Sequence, residues 1–284
     1  MPDLELRGGE LDGLKLHYLA IGHGGQAIVM VHGLGGFAES WRHNVEPLAS
    51  RATVYAIDLP GFGRSAKPPA RYRLSDFAKA LHGFVETLGL PQVSLVGHSF
   101  GAAVAMTYAL THPARVERIA VVGGLVPGCS YRFSWPVRLA CVQGVGELLA
   151  LCGCAPLYRA SIARCFVTPV AEEVSFLVDS HYAARTGADA KAAFLATVRA
   201  AAADLAGHQH DFRRALAGLL LPVLLIHGRQ DPVVPAAHCA EASRLLPRSV
   251  ARWVDRCGHF PQIEHAGTVN AWLGEFLVGR PAPR

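Results

Sequence analysis

The sequence has little charge and no long uninterrupted apolar run. Charged residues make up 17% of its 284 positions and hydrophobic residues 51%, so the chain can bury a sizeable core. Because it has no stretch of about 18 uncharged apolar residues, we expect no stable membrane span. Its first residues lack a basic segment followed by an apolar one, which argues against a secretion signal, and we expect a cytoplasmic protein.

Basic residues and cysteines are present, but not in the arrangements typical of a nucleic-acid surface or a metal site. The 27 lysine and arginine residues give a formal net charge of +5 without forming a cluster, so we expect no nucleic-acid partner. The seven cysteines are an odd number, and no two pairs have the spacing of zinc ligands. We expect reduced thiols, no metal and no cofactor, while a disulfide between any two of these cysteines stays open.

Short apolar runs recur along the chain. A pair at 4–7 and 14–20 predicts an antiparallel hairpin at the edge of a sheet. Later runs are rich in β-branched residues and lack polar alternation, which is typical of parallel strands buried on both faces. These predicted strands are 27–31, 53–57, 92–96, 118–122, 222–226 and 250–254.

Helical patterns alternate with these strands and predict an open α/β sheet. The predicted helices are 75–88, capped by Ser75, then 100–111, 237–246 and 266–278. From 125 to 211 the alternation stops and only helical patterns remain, over a length too great for an ordinary connection. We therefore predict a helical cap at 125–211, inserted into a core formed by 1–124 and 212–284.

A serine lies where the third of the parallel strands meets a helix. The segment GHSFG at 97–101 follows the strand 92–96 and opens the helix 100–111. A sharp strand-to-helix turn holds such a serine in strained backbone geometry, with its Oγ above the sheet. The flanking glycines are needed because a Cβ there would collide with the neighbouring strand or helix. We therefore interpret Ser99 as a catalytic nucleophile.

A serine hydroxyl needs a base to take its proton, and His259 is the candidate. It follows the last predicted strand, in a loop expected at the carboxyl edge of the sheet on the same side as Ser99. His227 also stands at a strand end but is expected to pack against the sheet. His238 and His265 are weaker candidates.

The base in turn needs a carboxylate to fix its tautomer and stabilise its charged form. Asp231 follows the fifth of the parallel strands, and the order Ser99, Asp231, His259 is the one expected for this kind of sheet. The other position known for this acid is the end of the strand 118–122, where the chain has GGL at 123–125 and no acid. We therefore predict a Ser-His-Asp triad.

A tetrahedral oxyanion needs preorganised hydrogen-bond donors. The backbone amide of Phe100, directly after the nucleophile, is one candidate. The amide of Leu34, inside the glycine-rich turn HGLGG at 32–36, is the other, because glycines allow the backbone to turn an amide toward the site. We predict that these two amides form an oxyanion hole.

Together these motifs resemble the α/β-hydrolase superfamily, in its serine-nucleophile branch with a helical cap. The segment DLPGFGRS at 58–65 is similar to a turn of that family whose role is usually structural. The resemblance covers nearly the whole chain and implies an α/β-hydrolase fold, with a mostly parallel eight-stranded sheet and the helical cap inserted after strand six. Haloalkane dehalogenases and epoxide hydrolases of this fold carry an aspartate nucleophile, so Ser99 argues against both.

The resemblance leaves three functions open. The default is a serine hydrolase, carboxylesterase-like or lipase-like, that cleaves a small-molecule carboxylic ester with an apolar acyl or alcohol part through an acyl-enzyme on Ser99. The alternative is a carbon–carbon bond hydrolase of the meta-cleavage-product type. That group commonly has tryptophan after the catalytic histidine, where this chain has Phe260. A less favoured alternative is a non-catalytic ligand receptor on the same fold.

Apolar side chains of the predicted cap suggest a pocket for such a substrate. We expect most of them to pack on one another, as the side chains of neighbouring cap helices do. The candidates for the pocket are Phe133, Trp135, Leu139, Phe166 and, after the predicted base, Phe260. The sequence is compatible with a monomer or a homodimer.

Overall fold

Eight strands form one sheet within residues 2–152 and 154–279, the part of the chain that this computed structural model describes. The side chains of 151, 152, 181 and 183–185 are outside that description. Strands β1 to β8 span Asp3–Glu5, Lys15–Ile21, Ala27–Val31, Thr53–Ile57, Val93–His98, Val116–Val122, Val223–Gly228 and Ser249–Val254.

The strand order across the sheet is β1-β2-β4-β3-β5-β6-β7-β8. Strand β2 pairs antiparallel with both β1 and β4, whereas β3 to β8 all run parallel to their neighbours. The predicted edge hairpin and the mostly parallel eight-stranded sheet are therefore confirmed. The carboxyl ends of β3, β5, β7 and β8 meet at one edge, where ligand sites of open α/β sheets occur.

Helices cover both faces of the sheet and fill the interval between β6 and β7. Helices α1 to α12 span Val45–Ala49, Leu74–Thr87, Phe100–Thr111, Trp135–Cys141, Val145–Cys152, Ala155–Ala163, Ala171–Arg185, Ala188–Gly207, Gln209–Ala217, Ala236–Leu245, Pro261–Glu264 and Ala266–Val278. Residues of α1 and α12 pack on one face, and those of α2, α3 and α10 pack on the other.

The two faces of the sheet bury separate sets of side chains because residues alternate sides along a strand. In β3, Val29 and Val31 face the α2 and α3 side, while Ile28 and Met30 face the α1 and α12 side. Every residue of β3, β5 and β7 is buried. These central strands form a rigid support for the turns that follow them.

The start of α2 differs from the prediction that Ser75 caps this helix. The helix begins at Leu74, one residue earlier. The N–H of the preceding residue, Arg73, donates to the carboxylate of Asp76 at 3.0 Å. A carboxylate three residues into the helix therefore satisfies an N–H at its start, which is the role expected of an acidic residue in a capping box.

Six helices, α4 to α9, occupy the described residues between β6 and β7, where the cap was predicted. Helix α7 is tied to the core through Glu173, which pairs with Arg42 and lies 2.9 Å from Nε2 of His43. The Arg42 guanidinium also lies 3.7 Å from the ring centroid of Phe176. The division at 124/125 and 211/212 stays a prediction, and α9 spans the second of these positions.

Within residues 2–152 and 154–279, no helix combines the length and apolarity needed to cross a bilayer. The cysteines whose side chains are described all carry free thiols. Cys152 lies outside the described side chains.

Replacing Asp204 tests the tie between α8 and the core. Asp204 is 9% exposed, and its carboxylate accepts the N–H of Leu74 at 3.0 Å. This N–H has no acceptor inside α2. We expect Asp204→Ala to lower the free energy of unfolding by about 1–2 kcal/mol, because this N–H loses its acceptor. Asp204→Asn keeps an acceptor oxygen and should lose less. Urea denaturation measures both, and equal losses would contradict this role.

Candidate active site

Ser99 lies between β5 and α3 in a backbone conformation that non-glycine residues rarely adopt. Its φ is 52° and its ψ is −121°. Its N–H donates to the carbonyl of Val122 at 3.2 Å, and its own carbonyl accepts the amides of Ala102 and Leu125 at 3.1 and 3.0 Å. These bonds to β6, to α3 and to the turn after β6 hold the strained residue in place.

The glycines on either side of Ser99 are required by the close approach of three backbone segments. A Cβ at Gly97 would lie 2.4 Å from the Cα of Ala102 on α3. A Cβ at Gly101 would lie 2.3 Å from the carbonyl oxygen of Val31 on β3. A side chain at either position would therefore push α3 away from the sheet and displace the serine.

Ser99, His259 and Asp231 form a continuous hydrogen-bonded relay. The Nε2 of His259 lies 2.9 Å from the Oγ of Ser99, and its Nδ1 lies 2.9 Å from Oδ2 of Asp231. An imidazole that donates its Nδ1–H to a carboxylate can accept the serine proton at Nε2. All three residues are buried, with 5 to 8% of their surfaces exposed. The structure thus brings together the three residues of the predicted triad.

The carboxylate of Asp231 is held by more than the histidine. Its Oδ1 accepts the amides of Val233 and Val234 at 2.8 and 2.9 Å. Burial disfavours the charged form, but the attraction and hydrogen bond of His259, the nearby His227 and the Val234 amide outweigh it and lower the pKa of Asp231. The acid is therefore ionised at neutral pH, as the orienting member of a triad must be.

His227 was expected only to pack against the sheet, and it also supports the acid. It is 1% exposed, and its Nε2–H donates to the carbonyl of Val234 at 2.8 Å. The same nitrogen lies 3.5 Å from Oδ2 of Asp231. His227 therefore fixes the loop that carries the acid. The contact between His227 and Asp231 depends on how the turn between them folds, so it could not be predicted from the sequence.

The glycine that follows β6 lies beside the backbone of the histidine loop. Gly123 has a φ of +51°, and a Cβ on it would lie 2.8 Å from the carbonyl oxygen of His259 and 3.6 Å from Oδ2 of Asp231. The space that an acid side chain would need at this strand end is therefore filled by the backbone of the histidine loop. This agrees with a carboxylate supplied from the loop after β7 instead.

The predicted oxyanion-hole amides lie in the turns that follow β3 and β5. The turn around Leu34 is closed by the N–H of Gly36, which donates to the carbonyl of Gly33 at 2.9 Å. A Cβ at Gly33 would lie 3.0 Å from the Cβ of Ser99, so this turn touches the serine. Among the described residues, the amides of Leu34 and Phe100 have no acceptor. Their role toward an oxyanion stays a prediction.

The turn after β4 supports the turn that carries Leu34. The buried carboxylate of Asp58 accepts the amides of Ala38 and Arg64 at 2.6 and 2.7 Å. The Nε2 of His32 accepts the amide of Leu59 at 3.0 Å, while its Nδ1–H donates to a backbone carbonyl. Burial lowers the pKa of His32 and keeps it neutral. These contacts are consistent with a structural role for the segment 58–65.

His98 is a second imidazole in contact with the predicted base. Its Nε2–H donates to the carbonyl of His259 at 2.8 Å, and the two ring centroids are 4.8 Å apart. Its ring stacks on Phe260 at 5.1 Å. Burial, together with the nearby His259, lowers the pKa of His98 to about 3. The ring is therefore neutral at physiological pH and positions the backbone of the histidine loop.

Two contacts from the segment after α6 reach the histidine loop. The carbonyl of Cys165 accepts the N–H of His259 at 2.7 Å. The carboxylate of Glu264 accepts the N–H of Gly258 at 2.8 Å and that of Val167 at 2.9 Å. Neither contact could be predicted from the sequence, because Val167 and Glu264 are 97 positions apart and the Cys165 acceptor is a backbone atom.

The predicted pocket residues fall into two groups. Phe166 is buried and stacks on Phe260 at 5.0 Å, and Phe260 in turn contacts the rings of His98 and His259. The ring of Phe133 packs edge-on against Tyr131 at 4.9 Å. Trp135 and Leu139 are 73% and 40% exposed, and the structure does not bring them to the triad. The structure therefore gives no support to the prediction that Trp135 and Leu139 line the pocket.

Among the described residues, no group of three or more histidine, cysteine, aspartate or glutamate side chains is arranged to hold a metal ion. The buried polar groups beside Ser99 instead bond to one another and to backbone atoms. The side chains of Ser99, His259 and Asp231 can perform proton transfer and nucleophilic attack.

Comparison with known proteins connects this geometry to a family. The family model for the alpha/beta hydrolase fold matches residues 26–143. A Pseudomonas putida protein named 2-hydroxy-6-oxononadienedioate/2-hydroxy-6-oxononatrienedioate hydrolase 2 is 31% identical, over 96% of this chain and 94% of its own length.

Two solved structures share the fold over nearly the whole chain. The 2-hydroxy-6-oxo-6-phenylhexa-2,4-dienoate hydrolase of Rhodococcus sp. strain RHA1 has a TM-score of 0.80 and 24% identity, covering 92% of this chain and 94% of its own. A thermophilic esterase from Thermogutta terrifontis has a TM-score of 0.78 and 21% identity, covering 97% of each chain. At such identities the likeness shows the fold alone.

Acid stability tests the neutral state of His98. Its pKa of about 3 in the folded chain lies below the ordinary value of 6.5. Between these values the unfolded chain binds a proton that the folded chain does not, so stability falls as pH drops from about 6.5 toward 3, by up to about 1.4 kcal/mol per pH unit. We expect His98→Gln, which keeps a donor amide, to flatten this slope in urea titrations. His23→Gln, at an exposed position, is the control, and an unchanged slope in His98→Gln would contradict the burial of a neutral imidazole.

Proposed function

The chain belongs to the α/β-hydrolase family, and on that premise we propose that it cleaves carboxylic esters with an apolar acyl or alcohol part through an acyl-enzyme on Ser99. The observation that carries this proposal is the relay of 2.9 Å contacts from Ser99 through His259 to Asp231. A relay of this geometry turns a weakly nucleophilic hydroxyl into an activated one.

The first half of the proposed reaction forms the acyl-enzyme. Nε2 of His259 takes the hydroxyl proton of Ser99 while Oγ bonds to the ester carbonyl carbon. The amides of Leu34 and Phe100 hold the oxyanion, and Asp231 stabilises the imidazolium. The bond to the alcohol oxygen then breaks, and His259 gives that oxygen its proton. In the second half, water attacks the acyl carbon with the same proton transfers, which releases the acid and restores Ser99.

An apolar cluster beside the site supports an apolar substrate. It contains Phe37, next to the predicted oxyanion turn, Ile263, next to the histidine loop, and Leu177 of α7. Phe260 packs against this cluster and stacks on His98. An apolar wall that carries few polar groups recognises a hydrocarbon part of a ligand by excluding water from it.

A second candidate function is hydrolysis of a carbon–carbon bond. It is favoured by one observation, the P. putida relative that is named as a hydrolase of nonadienedioate and nonatrienedioate compounds and aligns with 96% of this chain. The same relay and amides would serve such a reaction. Against it stands Phe260, because meta-cleavage-product hydrolases commonly carry tryptophan at that position.

Removing members of the relay tests the proposed roles. We expect Ser99→Ala to lower kcat on p-nitrophenyl butyrate by about 10⁴-fold or more, because no hydroxyl remains to be acylated. Asp231→Asn should lower it by roughly 10³- to 10⁴-fold, because the imidazole loses its orienting charge. Ser130→Ala, at an exposed position, is the matched control. A folded Ser99→Ala variant that hydrolyses the ester at the wild-type rate would refute the assignment.

A substrate panel separates the two candidate functions. We expect kcat/KM for p-nitrophenyl esters to rise by roughly three- to fourfold for each added methylene until the apolar space is filled. The ring-fission dienol 2-hydroxy-6-oxo-6-phenylhexa-2,4-dienoate should keep its visible absorbance under the same conditions. Loss of that absorbance without activity on any ester would select the carbon–carbon hydrolase. Ligand-dependent thermal stabilisation without turnover of either compound would instead indicate a receptor.

A further inference from the structure

Three successive backbone amides hold the chain at the proposed base. The N–H of Gly258 donates to Oε1 of Glu264 at 2.8 Å, and the N–H of Phe260 lies 3.4 Å from the same oxygen. Between them, the N–H of His259 donates to the carbonyl of Cys165 at 2.7 Å. Of these two acceptors only Glu264 is a side chain, so a single substitution there can release the backbone on both sides of His259.

The second carboxylate oxygen of Glu264 reaches the segment that follows α6. Its Oε2 accepts the N–H of Val167, two residues after Cys165, at 2.9 Å. A Cβ at Gly258 would lie 2.2 Å from the carbonyl oxygen of Cys165, so the two segments are in contact at this point. Glu264 therefore holds His259 in two ways, directly through the amides beside it and indirectly through the segment that carries its other acceptor.

The described groups around the Glu264 carboxylate are all hydrogen-bond donors. Besides the three backbone amides there is the thiol of Cys257, which is fully buried and has its Sγ 3.7 Å from Oε1 of Glu264. Burial, together with the nearby Glu264, raises the pKa of this thiol, which therefore stays protonated and can donate. Within the described part of the chain no cation pairs with the carboxylate, so an ion pair does not account for a glutamate here.

The position of the backbone matters because a general base acts only within hydrogen-bond reach of the proton it takes. The Nε2 of His259 lies 2.9 Å from the Oγ of Ser99, and a displacement of about 1 Å at such a contact can cost about 100-fold in rate. We propose that Glu264 is a positioning residue for the reaction at Ser99, which sets the place of His259 by fixing the backbone on both sides of it. This role rests on the proposed function, in which His259 is the base.

Two replacements of Glu264 test this role through kcat. We expect Glu264→Ala to lower kcat on p-nitrophenyl butyrate by about 100-fold. KM should change by less than about threefold, because the carboxylate acts through His259 and not on the substrate. Glu264→Gln keeps one acceptor oxygen and should lower kcat by about 10-fold. Glu275→Ala and Glu275→Gln, at an exposed position of α12, are the matched controls.

Counting the reactive sites separates positioning from folding. Complete labelling by a fluorophosphonate gives the number of reactive Ser99 hydroxyls in each preparation, and kcat is divided by that number. A merely structural Glu264 would change the labelled fraction and the urea midpoint but leave kcat per labelled site unchanged. That result in Glu264→Ala, or in Glu264→Gln if the alanine variant does not fold, would overturn the positioning role.

A proton NMR spectrum tests the geometry without any substrate. The Nδ1–H of His259 donates to Asp231, and a charge-assisted hydrogen bond of this kind deshields its proton, which gives a signal downfield of the backbone amides. His259→Ala identifies the signal by its absence. We expect the signal in wild-type and Glu275→Ala protein, and we expect it to broaden or disappear in Glu264→Ala, because a displaced imidazole exchanges this proton with water. An unchanged signal would overturn the positioning role.

The two proposals fail in different ways. If wild-type protein hydrolyses no ester, but Glu264→Ala loses the downfield signal and reacts with the fluorophosphonate about 100-fold more slowly, the ester proposal fails and the positioning role stands. If the ester is hydrolysed and Glu264→Ala matches wild type in both kcat per labelled site and the downfield signal, the positioning role is overturned and the proposed function stands.

Discussion

The close approach of β3, β5 and α3 at Ser99 is the constraint on which the rest of the site depends. Because no Cβ fits at Gly97 or Gly101, the chain can pass from strand to helix within one residue. That residue takes a positive φ of 52°, and its hydroxyl lies 2.9 Å from Nε2 of His259. A looser turn would separate the nucleophile from its base.

The position of His259 depends on the inserted helices as well as on the sheet. Its side chain is oriented by Asp231, from the loop after β7, but its backbone N–H donates to Cys165, outside the sheet. Glu264 joins the two regions through one carboxylate. The backbone of the histidine loop is therefore held both by the sheet and by the segment that follows α6.

The sheet and the relay could be predicted from the sequence because each depends on local patterns with a fixed geometric consequence. Parallel strands place their carboxyl ends at one edge, so residues following β5, β7 and β8 had to converge. Contacts made by backbone atoms or set by turn geometry have no such pattern in the sequence. Two examples are the hydrogen bond from His259 to the Cys165 carbonyl and the contact of His227 with Asp231. The solvent exposure of Trp135 was also out of reach, because an apolar pattern on a short helix does not say which face packs.

Covalent trapping tests most directly whether Ser99 is the activated nucleophile. A fluorophosphonate reacts with an activated serine hydroxyl and mimics the tetrahedral oxyanion of ester hydrolysis. We expect peptide mapping by mass spectrometry to find the adduct on Ser99, with labelling slowed by about 100-fold or more in His259→Ala. Labelling on a different residue, or an unchanged labelling rate in His259→Ala, would contradict the assignment of Ser99 as a nucleophile activated by His259.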